Sequence, residues 1–237
     1  MRCRVVRRTG PHPIDAPGTD ERSWRAWPWL STLPASGLQA LAGVTSAVIV
    51  AAHPDDEVLG AGGLISMLAA SRARLRLVAV TDGERSHQGY SSPAVLAKRR
   101  TAETTAALRA LGARATEVIR LGLPDSRVAR REDDLAAALA PLAEGFDLCL
   151  APWDGDMHPD HAAASRAARL AATGAFHCFP VWMWHWASPV IPGCPGTARC
   201  GSRCRRRPRQ RNARPSAASP ARQKTEATAS GPCLPRA

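Results

Sequence analysis

Two short runs carry the residue types that can do chemistry together: His53-Pro54-Asp55-Asp56-Glu57 and His158-Pro159-Asp160-His161. Pro54 fixes its own φ and keeps His53 extended, so His53 and the carboxylates after it are expected to project from a tight loop. Neighbouring Asp55 and Asp56 should diverge, leaving one free while the other binds a metal. Pro159 suits a first helical turn, and His158 and His161, three apart, share a helix face. Two imidazoles and one carboxylate suit a catalytic zinc site with a position open to water. Such a metal lowers the pKa of water toward ~7 and polarises a carbonyl. A free carboxylate nearby can take the proton, and a spare imidazole can support an oxyanion or protonate a leaving nitrogen. The chemistry such a set could do is metal-assisted hydrolysis of an amide.

These runs need elements that bring them together. Thr45 to Ala52 is a continuous apolar run with β-branched residues, as in a central parallel strand buried on both faces. Helix is expected over Val58 to Ser71, strand over Leu75 to Val80, and a long helix from Ser92-Pro93 to Leu111, stopped by Gly112. Glu117 to Leu121, Asp147 to Ala151 and Cys178 to Trp186 read as further strands, with helices over Glu132–Glu144 and Pro159–Ala172. Strict alternation implies right-handed βαβ units and a mostly parallel, Rossmann-like sheet with helices on both faces. In such folds sites form at the carboxyl ends of strands. The first and fourth strands both end in the His/Asp runs, so the runs should meet. Upstream, helical spacing of Trp24, Trp27 and Leu30 within Asp20–Leu33, interrupted by Pro28, and a short Ser36–Leu41 segment suggest an N-terminal flap.

Blander readings compete at each position. A single His-Pro-Asp is usually turn chemistry, with the Asp capping the next helix; two, each at a strand end, are harder to dismiss. Asp160 alone reads as a first-turn helix acid. Gly60-Ala61-Gly62-Gly63 lacks the full dinucleotide spacing and follows three acids, which favours close packing. The Trp182-Met183-Trp184-His185-Trp186 cluster reads as core or edge-strand packing before a stacking platform. Asp82 and Glu84 either reach the site from the second strand or shape a turn.

The formal charge of +12 invites a nucleic-acid reading, but its location decides. From Val190 onward there are eleven Lys or Arg and one acid, Glu226, so the preceding residues are close to neutral. Four of the seven cysteines lie in that same stretch, and the others, Cys3, Cys149 and Cys178, show no framework spacing. No apolar stretch reads as a signal peptide or a membrane span, and a cytoplasmic protein is expected. Residues 1–18 read as a disordered lead-in. Residues 190–237 read as a disordered Arg/Pro-rich tail or as the product of a shifted reading frame, which in a GC-rich gene yields Arg, Pro, Ala, Gly and Cys.

The run Ala52 to Gly60, then Thr81-Asp82-Gly83-Glu84, Arg100-Thr101-Ala102-Glu103, Leu111-Gly112 and His158 to His161 closely resembles the PIG-L/LmbE-like zinc-dependent deacetylases. The resemblance covers about residues 45–187, within an α/β domain expected over 19–189. It implies hydrolytic removal of an N-acetyl group from an amino-sugar-containing small molecule or conjugate. It further implies one Zn2+ per chain, with Fe2+ as the alternative, held by His53, Asp56 and His161. Asp55 would be the general base and His158 would stabilise the tetrahedral intermediate, tuned by Asp160, while Arg100 would anchor substrate. Some sugar-conjugate members carry a tyrosine two residues before the first histidine of the last motif, where Asp156 stands here. The competing functions are an inactive relative that keeps the metal site, and a nonspecific nucleic-acid binder acting through the basic tail; no specific nucleic acid is expected as a partner.

Overall fold

A computed structural model describes residues 17–28, 30, 33, 41–86 and 92–189. The tail at 190–237, nearly all of the lead-in and the Ser36–Leu41 segment up to residue 40 lie outside them. Five parallel strands form one sheet in the order β3-β2-β1-β4-β5: β1 Ser46–Ala51, β2 Arg74–Ala79, β3 Glu117–Arg120, β4 Leu148–Pro152 and β5 Ala175–Phe179. The helices are α1 Glu21–Arg25, α2 Asp56–Ala70, α3 Pro93–Ala110, α4 Glu132–Ala143, α5 Pro159–Ala171 and α6 Met183–Trp186. A 3-10 turn spans Val128–Arg130.

Period-two alternation sends successive strand residues to opposite faces. In β1, Val48 and Val50 enter the core under α4 and α5, with Leu135, Leu139, Ala163, Ala164 and Ala167. Ala47, Ile49 and Ala51 enter the core under α2 and α3, with Ile65, Leu68 and Leu108. Every residue of β1 is buried, so the apolar run is continuous rather than alternating. Full burial of a side chain such as Ile49 or Leu139 contributes about 1.5–3 kcal/mol. The alanine stripe of α5 lets that helix lie close against β4.

Two local expectations need correction. Helix α2 starts at Asp56, so Asp56 and Glu57 sit in a helical first turn rather than a loop. That is where carboxylates complement the helix dipole. Strand β5 ends at Phe179, and Met183–Trp186 is a short helix instead of the end of a strand. Pro180 lacks a ladder donor, and the N–H groups of Val181, Trp182 and Met183 all donate to the carboxylate of Asp156. As the interruption at Pro28 predicts, the upstream segment is helical over Glu21–Arg25, with Asp20 as N-cap, breaks just before that proline, and is helical again at Pro28 and Leu30. Trp24 is buried against Ala187 and donates from Nε1 to Trp184 O at 2.9 Å, so this segment packs on the turn at 183–187. Among the described residues no helix is long and apolar enough to cross a membrane.

Candidate metal and catalytic site

The chain runs from β1 outward to β2 and β3, then returns to place β4 on the other side of β1. The crevice at such a reversal is where open α/β sheets bind ligands. Both His/Asp runs enter it, one directly after β1 and the other after β4. The ring centroids of His53 and His161 lie 5.3 Å apart, and His158 lies 4.7 Å from His53 and 4.8 Å from His161.

Asp56 stands between two of these rings. Its Oδ2 is 3.6 Å from His53 Nδ1 and its Oδ1 is 3.3 Å from His161 Nε2. It also accepts from the His53 backbone N–H at 2.8 Å, which fixes the carboxylate from within its own loop. Burial opposes its charge, but the two imidazoles hold it far below the usual carboxylate range. His161 is fully buried, and its Nε2 has no hydrogen-bond partner despite the nearby Asp56 oxygen. Its Nδ1 lies 2.9 Å from Asp156 Oδ2. Burial opposes a proton on this ring, yet the nearby Asp56 charge and the bond to Asp156 push it up to about 9. An orphaned, buried imidazole nitrogen beside a buried carboxylate and a second imidazole is a donor set that fits zinc.

His53 is held from behind. Its Nε2 lies 3.3 Å from Asp160 Oδ2 and 3.4 Å from Asp125 Oδ1. Burial works against charge on this ring, but Asp125, Asp160 and Asp56 together raise it well above the ordinary value. Asp125 is itself fixed by N–H of Arg85 and the hydroxyl of Ser126, and its backbone N–H donates to Glu84. Burial notwithstanding, the contact with His53 lowers its carboxyl to about 2. Glu84 thus supports a support, while Asp82 pairs with Arg120 at 2.8 Å. Gly83, at φ +66°, turns this loop beneath Pro54, where a Cβ would lie 3.0 Å from Pro54 Cδ.

Asp55 and Asp56 do diverge. The Asp55 side chain is 47% exposed and that of Asp56 3%, so only Asp55 faces solvent. Asp55 adopts φ 107°, a left-handed conformation that costs a non-glycine residue on the order of 1–3 kcal/mol. Its N–H donates to Glu57 Oε2, and Arg100 Nη2 donates to its carboxylate at 2.7 Å and to Pro54 O. Burial raises the Asp55 carboxyl and Arg100 counters it. Glu57 is fully buried beside two carboxylates; burial first, then the Asp56 charge, lifts it to about 7.

His158 caps α5, and its Nδ1 accepts from Asp160 N–H at 3.2 Å. The proton of the neutral ring then sits on Nε2, an available donor. Burial first, and then the neighbouring His53 and His161 charges, lower this ring to about 4. The Asp160 carboxylate faces His53 and accepts from Val128 N–H; its hydrogen bond to the His158 ring comes from its own backbone amide, while its charge acts on that ring through space. Arg100 is turned onto Asp55 and Pro54. Asp125 and Asp156 went unassigned in the sequence reading. Asp125 follows the third strand, so the rule that sites form at strand ends already pointed to it. Asp156 is separated from His161 by five positions and carries no local signature.

A family model described as PIG-L: GlcNAc-PI de-N-acetylase matches residues 48–172. Two proteins from Mycobacterium sp., strains KMS and JLS, are each 31% identical to this chain over 163 residues. Both are named 1D-myo-inositol 2-acetamido-2-deoxy-alpha-D-glucopyranoside deacetylase. The match takes in 58% of this chain and 53% of each, so the chain spans about half the length of these curated relatives. An N,N'-diacetylchitobiose deacetylase from Pyrococcus horikoshii shares the fold at TM-score 0.51 and 21% identity, over 70% of this chain and 71% of that one. A zinc-inhibited form of teicoplanin deacetylase Orf2 does so at TM-score 0.50 and 17% identity, over 62% and 73%.

Proposed function

Because the chain belongs to the PIG-L family of GlcNAc-PI de-N-acetylases, we propose that it is a zinc-dependent hydrolase that removes an N-acetyl group from an amino-sugar conjugate. One observation carries the reading. Asp56 lies between the imidazoles of His53 and His161, with His161 Nε2 buried and unpartnered, while its neighbour Asp55 is turned to solvent. His53, Asp56 and His161 would hold the ion. Zinc there would supply Lewis acidity, polarising the amide carbonyl and making water a nucleophile near neutral pH.

The chain's own groups do the rest. Asp55 takes a proton from the attacking water as oxygen bonds to the carbonyl carbon, and Arg100 keeps that carboxylate in place and ionised. His158 donates from Nε2 to the oxygen that becomes negative. As the C–N bond breaks, the proton held by Asp55 passes to the departing nitrogen, releasing acetate and a free amine. The relatives' names support an N-acetylglucosaminyl inositol or related conjugate as substrate.

The test is amine release from N-acetylglucosamine conjugates by chelator-stripped protein, with and without added zinc. Activity restored by zinc and lost in Asp55→Asn is expected. A rate indifferent to chelation, or full activity in Asp55→Asn, contradicts the reading.

A further inference from the structure

Asp156 is buried to 0% exposure, yet none of its acceptor capacity is spent on solvent. Its Oδ2 lies 2.9 Å from His161 Nδ1 and accepts from Val181 N–H at 3.1 Å and Trp182 N–H at 2.9 Å. Its Oδ1 accepts from Met183 N–H at 2.6 Å, and its backbone oxygen accepts from Trp186 Nε1 at 3.1 Å. One residue thus ties an imidazole of the metal site to a turn that lies twenty or more positions further on. That turn in turn supports the upstream segment, through Thr19 to His185 O and Ala187 O and through Trp24 to Trp184 O.

The carboxylate can only accept, so the proton between it and His161 must sit on Nδ1. In the neutral ring Nε2 is then left as a lone pair, the form in which a histidine binds a metal. An amide at this position has no equivalent arrangement. With its oxygen toward His161, the NH2 group meets the Met183 N–H, donor against donor. With its oxygen toward Met183, the NH2 donates to His161 Nδ1 and drives the proton to Nε2, which blocks coordination. We propose that Asp156 is a positioning residue for the metal centre, and that through it the centre and the turn at 181–186 stabilise each other. The inference rests on His161 being a metal ligand. Coupling of this kind is reciprocal: whatever the turn adds to zinc affinity, zinc adds to the turn.

The test uses the full chain as wild type, Asp156→Asn and His161→Ala. Zinc affinity is measured by competition with a chromophoric chelator, amide hydrogen exchange is followed over 181–186, and the His161 tautomer is read by nitrogen NMR. Asp156→Asn is expected to weaken zinc binding about 10–100-fold, the usual range for a group that orients a ligand. Zinc is expected to slow exchange over 181–186 in the wild type and not in Asp156→Asn. As pH rises, the metal-free wild type should give up the His161 proton on Nε2 and keep the one on Nδ1. A residue that merely supports the turn would speed exchange equally with and without zinc and leave affinity alone; that result overturns the proposal. If His161→Ala binds zinc as the wild type does, the ligand assignment itself fails. If His161→Ala loses zinc while Asp156→Asn keeps it, only the present inference fails. Should Asp156→Asn not fold, zinc-independent exchange over 181–186 in the wild type is enough to overturn it.

Discussion

His53 and His161 both present one ring nitrogen toward Asp56 and have the other held by carboxylate, but the anchors behind them differ. Behind His53 stand two, Asp125 and Asp160, each fixed by backbone N–H groups of the segment at 85–128. Behind His161 stands one, Asp156, fixed by the turn at 181–183. The first support is doubled and comes from the loops after β2 and β3 and from the first turn of α5. The second is single and depends on a peripheral turn held partly by Trp24. One half of the site is thus secured by the α/β core and the other by what packs at its edge.

The strongest way to break this comparison is to remove the rings themselves. His53→Ala and His161→Ala should each weaken zinc binding by more than the about 10–100-fold of a supporting contact, as chelator competition would show. Equal losses mean that both rings are ligands; a loss in only one variant means that the site is not shared.

Asp55→Asn should lower deacetylation about 10²–10⁴-fold while leaving zinc affinity intact, since general-base catalysis is worth that much. Steady-state rates beside a zinc titration separate the two effects. A parallel loss of zinc would make Asp55 a ligand.

Without metal, both rings hold protons more tightly folded than unfolded: His53 is raised well above its ordinary value and His161 lies near 9. Glu57, lifted to about 7 by burial, acts in the same direction. Their contribution is fully present below each group's ordinary value and is lost as pH rises through the folded one. Metal-free protein should therefore lose several kcal/mol between pH 6 and about 9, with His161 the largest contributor. Zinc-loaded protein, in which the metal takes the place of the titrating ring protons, should lose far less. Thermal melts across that range check it; parallel curves would refute it.

Arg100→Met removes a charged hydrogen bond worth about 1.5–3 kcal/mol, so activity should fall about ten- to a hundredfold. The acid limb of its pH–rate profile should also move upward, because Arg100 opposes the rise that burial imposes on Asp55. An unchanged limb would return Arg100 to substrate anchoring.

The smallest effect is expected at Asp125. With Asp160 still on His53, Asp125→Asn should cost less than about tenfold in zinc affinity, below the range for a sole supporting group. A larger loss there than in Asp156→Asn would reverse the comparison.

Much of the frame was legible in the chain. The apolar run at 45–52 and the alternation after it specified buried parallel strands, because burial on both faces leaves no polar alternation. The clusters at the ends of the first and fourth strands then had to share an edge of the sheet. Less legible was the stretch after Phe179. Its Trp-rich composition resembles a strand, but the nearby Asp156 carboxylate takes the N–H groups a ladder would need. The start of α2 at Asp56 was hidden for a similar reason: the left-handed turn at Asp55 is stabilised by Glu57 and Arg100, the latter 45 positions away.

By itself, then, the sequence determined which residue types gather at the sheet's carboxyl edge, since a continuous apolar run and two local motifs are properties of contiguous residues. Only the tertiary structure decided which carboxylate stands behind which imidazole, and that Arg100 turns onto Asp55. Except for Asp156 and His161, five positions apart, those pairings join residues 45 to more than 100 positions apart, and they exist only because the order β3-β2-β1-β4-β5 brings their loops within hydrogen-bonding distance.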